Sequence, residues 1–187
     1  MSGPARRPAG GAVRRHGVEP VSYRIVPVDP HAHLFEITLT IAQPDAEGQR
    51  VALPAWIPGS YMIREFARHV VSIGARSAGR AVRLRKLDKH TWQAGRCDGP
   101  LTLVYRVYAW DLSVRAAHLD ATHGFFNGTS VFLRVLGQED RPCEVLIEPP
   151  SGEEYAGWRV ATTLPEAGAR PPRLRPPPAG GHREPGA

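Results

Sequence analysis

The chain has 187 residues and a mass of 20.5 kDa, enough for one ordinary domain with tails. Its 24 Lys plus Arg against 18 Asp plus Glu give +6, which raises a polyanion as partner until the charge is located. Two cysteines, Cys97 and Cys143, exclude a disulfide-dense scaffold, and no apolar run approaches the ~20 residues of a membrane span.

The first 20 residues hold four Arg, several Gly and Pro, and almost nothing large and apolar. No apolar stretch follows the arginines, so this segment is not a signal peptide, and the expected compartment is the cytoplasm. Residues 166–187 carry six Pro and four Arg. Both ends have too little to bury to offset the entropy of ordering, so 1–20 and 166–187 are expected to be disordered tails. They hold most of the excess charge. Residues 21–165 keep 16 basic against 15 acidic side chains, which removes the electrostatic case for a nucleic-acid partner.

The span 21–165 alternates like a series of strands. Val21–Val28 comes first. In His33–Ile41, Phe35, Ile37, Leu39 and Ile41 share one face, with Glu36, Thr38 and Thr40 on the other. Val70–Ile73, Ala81–Leu87 and His90–Ala94 follow, then Leu101–Trp110 with Leu101, Leu103, Tyr105 and Val107 on one face. Thr129–Leu136, Glu144–Glu148 and Trp158–Thr162 complete the set. Turn-rich breaks lie at 44–48, 78–80, 98–100 and 149–152. The expected fold is all-β, an antiparallel β-sandwich. Asn127-Gly128 has the chemistry of a type I′ hairpin turn, and Ser60–Ala67 has room for a turn or two of helix.

Catalytic motifs are mostly missing. None of the eight His is followed by Glu, so the zinc-protease pattern H-E-x-x-H is not in this sequence. There is no phosphate-binding glycine loop, and Pro58-Gly59-Ser60-Tyr61-Met62 is not a nucleophile elbow. His31 and His33 could share one side of a strand, but no third ligand is identifiable. His118 and His123 flank Asp120 as a possible relay, read here as stabilising its loop. Asn127-Gly128-Thr129 matches the glycosylation acceptor pattern only formally. No catalytic or metal-binding residue is assigned.

Two stretches exceed strand patterning. Leu53–Val70 is loop material stiffened by Pro54 and Pro58 and loaded with aromatics. Asp120–Leu133 sets Asp, His, Asn, Thr and Ser around a glycine-bounded tip.

PAWIPGSYMIREFARHVV (54–71) and DATHGFFNGTSVFL (120–133) resemble signature segments of the N-terminal domain of glycyl aminopeptidase-type zinc metallopeptidases, peptidase family M61. KLDKHTWQ (86–93), LVYRVYAWDLSVRAAHLD (103–120) and WRVATTLP (158–165) extend the resemblance over 21–165. It implies a β-domain beside a thermolysin-like catalytic domain and a PDZ-like domain, in an enzyme that removes N-terminal Gly or Ala. Zinc belongs to that catalytic domain, so no cofactor is expected in this chain. What the resemblance carries over are cleft-facing candidates, Tyr61, Asp120, Gly124, Asn127, Gly128 and Thr129, suited to a peptide N-terminus as carboxylate, amide and carbonyl acceptors. Asn127 and Gly128 equally fit a plain turn. The expected partners are the catalytic and PDZ-like domains and peptide N-termini, with no nucleic acid and no membrane.

The expected function is a non-catalytic domain that restricts a peptidase cleft to free N-termini, truncated before the catalytic domain. The alternative is a stand-alone β-sandwich that binds a peptide or protein, with nucleic-acid binding a distant third. The shift after Pro165 to Arg, Pro, Gly and Ala, all with GC-rich codons, is what a frameshift from about residue 168 would produce.

Overall fold

Alternation along two long strands builds the centre of the protein, which the computed structural model describes over residues 19–165. Strands β1 (Val21–Asp29), β2 (Leu34–Ile41), β3 (Arg50–Ala52), β4 (Val70–Ser77), β5 (Arg80–Val82), β6 (Leu84–Lys86), β7 (Thr91–Ala94) and β8 (Leu101–Tyr108) lead the chain. Strands β9 (Ala117–Leu119) and β10 (Gly124–Phe126), the short helix α1 (Gly128–Val131), β11 (Arg134–Val135) and β12 (Cys143–Ile147) follow. One sheet runs β12-β1-β2-β8-β4-β5, a second runs β11-β3-β7-β6, and β9 with β10 forms a separate hairpin. The fold is all-β, as its patterning predicts. The pairs are antiparallel except β1 with β12, which is parallel.

Strand β2 pairs with β8 from Leu34↔Tyr108 to Ile41↔Leu101. This register stacks the predicted apolar faces: Ile37, Leu39, Ile41, Leu101, Leu103 and Tyr105 are all fully buried. Val51, Trp92, Ala94 and Val135 meet them from the second sheet. Each such side chain contributes ~1.5–3 kcal/mol by leaving water.

Two buried tyrosines tie the loop-rich half to the main sheet. The Tyr105 hydroxyl donates to the Val131 carbonyl at 2.8 Å and accepts from the Leu133 amide at 3.1 Å. The Tyr23 hydroxyl donates to the Leu133 carbonyl at 2.8 Å. Burial pushes both phenols well above their ordinary pKa, so both stay neutral donors.

Several expectations are corrected. Asn127-Gly128 is not a hairpin turn, and Thr129–Leu136 is not a continuous strand. Asn127 caps α1 instead, and only Arg134–Val135 is extended in a sheet. The two-residue hairpin with φ > 0 at both positions lies at Ala78 (φ 47°) and Gly79 (φ 77°), between β4 and β5. Ala81–Leu87 is split at Arg83, so β5 joins the first sheet and β6 the second. Trp158–Thr162 forms no strand; the Trp158 ring packs edge-on against Tyr155, at 5.6 Å, and over Gly124. The helical signal at Ser60–Ala67 is realised later, as one 3₁₀ turn at Phe66–His69. Cys97 is buried, Cys143 is exposed, and they do not pair. The predicted tails, apart from residues 19 and 20, lie outside the described residues.

Two stability outcomes follow. Tyr105→Phe strands the buried Leu133 amide and Val131 carbonyl, so urea unfolding should show a loss of about 1–3 kcal/mol with an unchanged m-value, larger than that of Tyr23→Phe. Ala78 occupies a left-handed conformation costly for a residue with a Cβ, and Asn tolerates it. Ala78→Asn should therefore raise stability by about 0.5–1 kcal/mol in the same assay.

Candidate functional site

The β9–β10 hairpin turns over residues 120–123, closed by the Asp120 amide donating to the His123 carbonyl at 3.0 Å. Inside the turn, Asp120 Oδ1 accepts from the Thr122 amide (2.7 Å), the Thr122 hydroxyl (2.7 Å) and the His123 amide (2.9 Å). Its other oxygen, Oδ2, faces His118 Nε2 at 3.0 Å. His118 and Asp120 stand two residues apart, so the strand period brings them to one side. His123 Nδ1 lies 3.3 Å from Asp120 Oδ1. The Thr122 hydroxyl, then His118 and the turn amides, holds the Asp120 carboxyl well below the usual carboxylate range.

The His118 ring is buried and sits in a row of aromatic rings. Trp110 lies 4.7 Å from it and His123 lies 5.1 Å away on ring centroids, each inclined by about 30°. Beyond Trp110 comes His33, centroid to centroid 3.9 Å. His33 adopts φ 60°, and its Nδ1 lies 2.6 Å from the Leu119 carbonyl. The sequence-level option of a His31–His33 pair along a strand is therefore not realised: both residues lie in the β1–β2 turn, and His33 serves the hairpin instead.

Next to these rings an open groove of about 530 Å³ is lined by Arg68, His69, Trp110, Asp111, Leu112, His118, Asp120 and His123. Arg68 and His69 come from the 3₁₀ turn that follows the Tyr61 loop, so both signature stretches reach the groove. Burial, then the Arg68 charge, pushes the His69 imidazole below its ordinary pKa and favours its neutral form.

The Tyr61 loop is held by its own hydrogen bonds. The Trp56 indole donates to the Ser60 carbonyl at 2.6 Å, the Arg64 amide donates to Ala55 at 2.6 Å, and Ser60 Oγ lies 3.4 Å from the Met62 amide. Leu53 and Ile57 anchor it in the core. Its tip leaves Tyr61 fully exposed and Met62 and Ile63 about two-thirds exposed.

The predicted residues thus separate by role. Asp120 lies in the groove wall. Tyr61 tops the adjoining loop. The Asn127 side-chain oxygen accepts from the Thr129 amide (3.1 Å) and hydroxyl (2.7 Å), so that acceptor serves the α1 cap. Gly128 allows close approach of the Phe132 ring, since a Cβ there would stand 3.3 Å from it. Gly124 is a packing glycine: a Cβ would meet Leu119 at 3.2 Å and Phe35 at 3.3 Å. Sequence reasoning missed Trp110, His33, Arg68 and His69 in this neighbourhood. The aromatic and His content around 108–123 was the available signal, but the contact of His33 with this row needed the β2–β8 register.

Comparison with known proteins identifies the family of the β-domain. A profile of the Peptidase M61 N-terminal domain matches residues 22–175. The crystal structure of an aminopeptidase N family protein from Idiomarina loihiensis superposes with a TM-score of 0.76 at 46% identity, covering 81% of this chain and 25% of that one. A mutant of the M1 zinc metallopeptidase from Deinococcus radiodurans gives a TM-score of 0.42 at 14% identity, covering 72% of this chain and 32% of that one. No curated protein shows significant similarity. The chain spans about a quarter of the Idiomarina protein's length. With the family profile covering most of its length, the chain belongs to the Peptidase M61 N-terminal domain family.

Proposed function

We propose that this chain serves as the non-catalytic β-domain of a glycyl-aminopeptidase-like peptidase. Its Tyr61 loop docks on the catalytic part, and its bulk narrows the cleft to peptides with a free N-terminus. The observation that carries the reading is the loop tip. Tyr61, Met62 and Ile63 are consecutive, apolar and exposed, on a loop fixed by internal hydrogen bonds and by core anchors. A stiff loop loses little entropy on docking, and each large apolar side chain covered adds ~1.5–3 kcal/mol. The same chain segment continues into the groove wall at Arg68 and His69, so docking there sets the groove beside the partner.

The chain carries no H-E-x-x-H pair, so its residues do not fit the zinc site that the family chemistry requires, and no hydrolytic step runs through them. In a catalytic domain of the family, zinc would polarise the peptide carbonyl and activate a bound water.

The purified chain should release no glycine from a glycyl anilide, with or without added zinc. Chelator-sensitive release would overturn the non-catalytic assignment. The docking role is tested in a chimera, with this chain replacing the N-terminal domain of a full-length family member. The chimera should cleave glycyl anilide and spare its N-acetylated form. Tyr61→Ala combined with Ile63→Ala should lower kcat/KM by about tenfold or more, because a misplaced wall loosens substrate positioning. Unchanged kinetics in the double variant would sink the docking role.

A further inference from the structure

We propose that His118, Asp120 and His123 form a binding site for a borderline divalent cation of the zinc type, with every protein ligand supplied by the β9–β10 hairpin. This inference stands on the hairpin alone and not on the docking role above.

The three side chains offer donor atoms that all lie within 4.8 Å of one another. Asp120 Oδ2 stands 3.0 Å from His118 Nε2, and Asp120 Oδ1 stands 3.3 Å from His123 Nδ1. Zinc binds nitrogen and oxygen at about 2.0–2.2 Å, which puts ligand atoms of a tetrahedral site about 3.4 Å apart. Asp120 Oδ2 and His118 Nε2 already stand within that spacing, and the full set, bounded by 4.8 Å, closes onto it by a shift of the exposed His123 side chain.

Two of the three ligands are preorganised. Asp120 Oδ1 is held by Thr122 and by the His123 amide, leaving Oδ2 with His118 as its one protein partner among the described residues. Such outer contacts orient a ligating carboxylate. The His118 ring is fixed by burial and by Trp110 stacked 4.7 Å away. His123 is the adjustable member, with a side chain 56% exposed. It must leave the Thr122 hydroxyl, 2.9 Å from its Nδ1, to bind. Two imidazoles and one carboxylate select zinc, cobalt or nickel over calcium and magnesium, which prefer all-oxygen sets. The groove borders the same three residues, so a fourth coordination position is open to water or to a ligand.

The affinity is bounded by one detail. His118 Nδ1 is buried and has no hydrogen-bond partner among the described residues. Ligation through Nε2 puts the ring proton on that nitrogen, where the usual carbonyl or carboxylate support is missing. Arg68 and Asp111 also line the groove, so their opposite charges offset one another at a bound cation. The site should therefore bind more weakly than a closed structural zinc centre.

The test is calorimetric titration of the metal-free 187-residue chain with zinc chloride, with calcium chloride as control. Wild type should take up one zinc saturably and no calcium. His123→Ala alters an exposed side chain, so the variant should fold, as checked by circular dichroism. It should bind zinc more than about tenfold more weakly, as should Asp120→Ala. His31→Ala should bind like wild type. Cobalt(II) gives a second readout, visible absorption bands of a tetrahedral site in wild type that vanish in His123→Ala. Zinc uptake of equal affinity in wild type and His123→Ala overturns the proposal, and so does no saturable uptake by wild type.

Discussion

The Tyr105 hydroxyl is the joint on which the loop-rich half of the protein depends. It sits at the centre of β8, between two fully buried neighbours on its face, and bridges the Val131 carbonyl to the Leu133 amide. That segment has no long strand to satisfy its backbone, because α1 has just ended and β11 has only two residues. A buried amide or carbonyl without a partner is costly, so a side chain from the opposing sheet supplies what a ladder would. Tyr23 adds a second fixed point at Leu133. Once 131–133 is pinned, the Asn127 cap fixes the start of α1, and the Asn127 amide donates to the Ala116 carbonyl at 2.8 Å, which holds the path out of β10. The groove hairpin therefore inherits its position from two phenols in the main sheet.

A second constraint acts at the other end of the hairpin. The contact of His33 with the Leu119 carbonyl and with Trp110 ties the β1–β2 turn to β9. Asp120 then organises the turn itself through Thr122 and His123. In the row His33, Trp110, His118 and His123 only His118 is buried, at 4% exposed, while Trp110 is 53% exposed and the His123 side chain 56%. His118 is thus held between two exposed rings, Trp110 and His123, and the Thr122 hydroxyl steadies the second at 2.9 Å.

Much of this architecture is legible in the sequence. The alternation of β2 and β8 names the buried face residue by residue, because the strand period is two and one face meets the core. Local rules fail where tertiary contacts compete. Asn127-Gly128 satisfies the chemistry of a hairpin turn, but the Asn127 side chain finds the Thr129 amide and caps a helix, a role the same residue type favours equally. Ala78-Gly79 forms the actual two-residue turn despite an alanine that a local rule disfavours, since the β4–β5 register requires it. The break at Arg83 has no local signal, because periodicity continues while the strand changes sheet. For the candidate site, the spacing His118-x-Asp120-x-x-His123 is visible in the sequence. Its burial and its row of rings are not, because they depend on Trp110 and on His33, which the fold brings in from the β1–β2 turn.

The charge of the chain takes its meaning from the same placement. Residues 21–165 are balanced within one unit, so the surface that recognises a partner has to work through shape, apolar area and a few placed polar atoms. Its two exposed features divide that work. The Tyr61 tip is apolar, stiff and free of charge, which suits a permanent contact whose strength is area removed from water. The groove is open and sets the charged groups of Arg68, Asp111 and Asp120 beside the apolar surface of Trp110 and Leu112. They adjoin through a single 3₁₀ turn, Phe66–His69, whose Phe66 and Ala67 are buried while Arg68 and His69 face the groove. The loop tip and the groove wall are therefore joined through one short turn, two of whose four residues are packed in the core. The apolar tip and the groove wall thus take their positions from the same buried pair, Phe66 and Ala67.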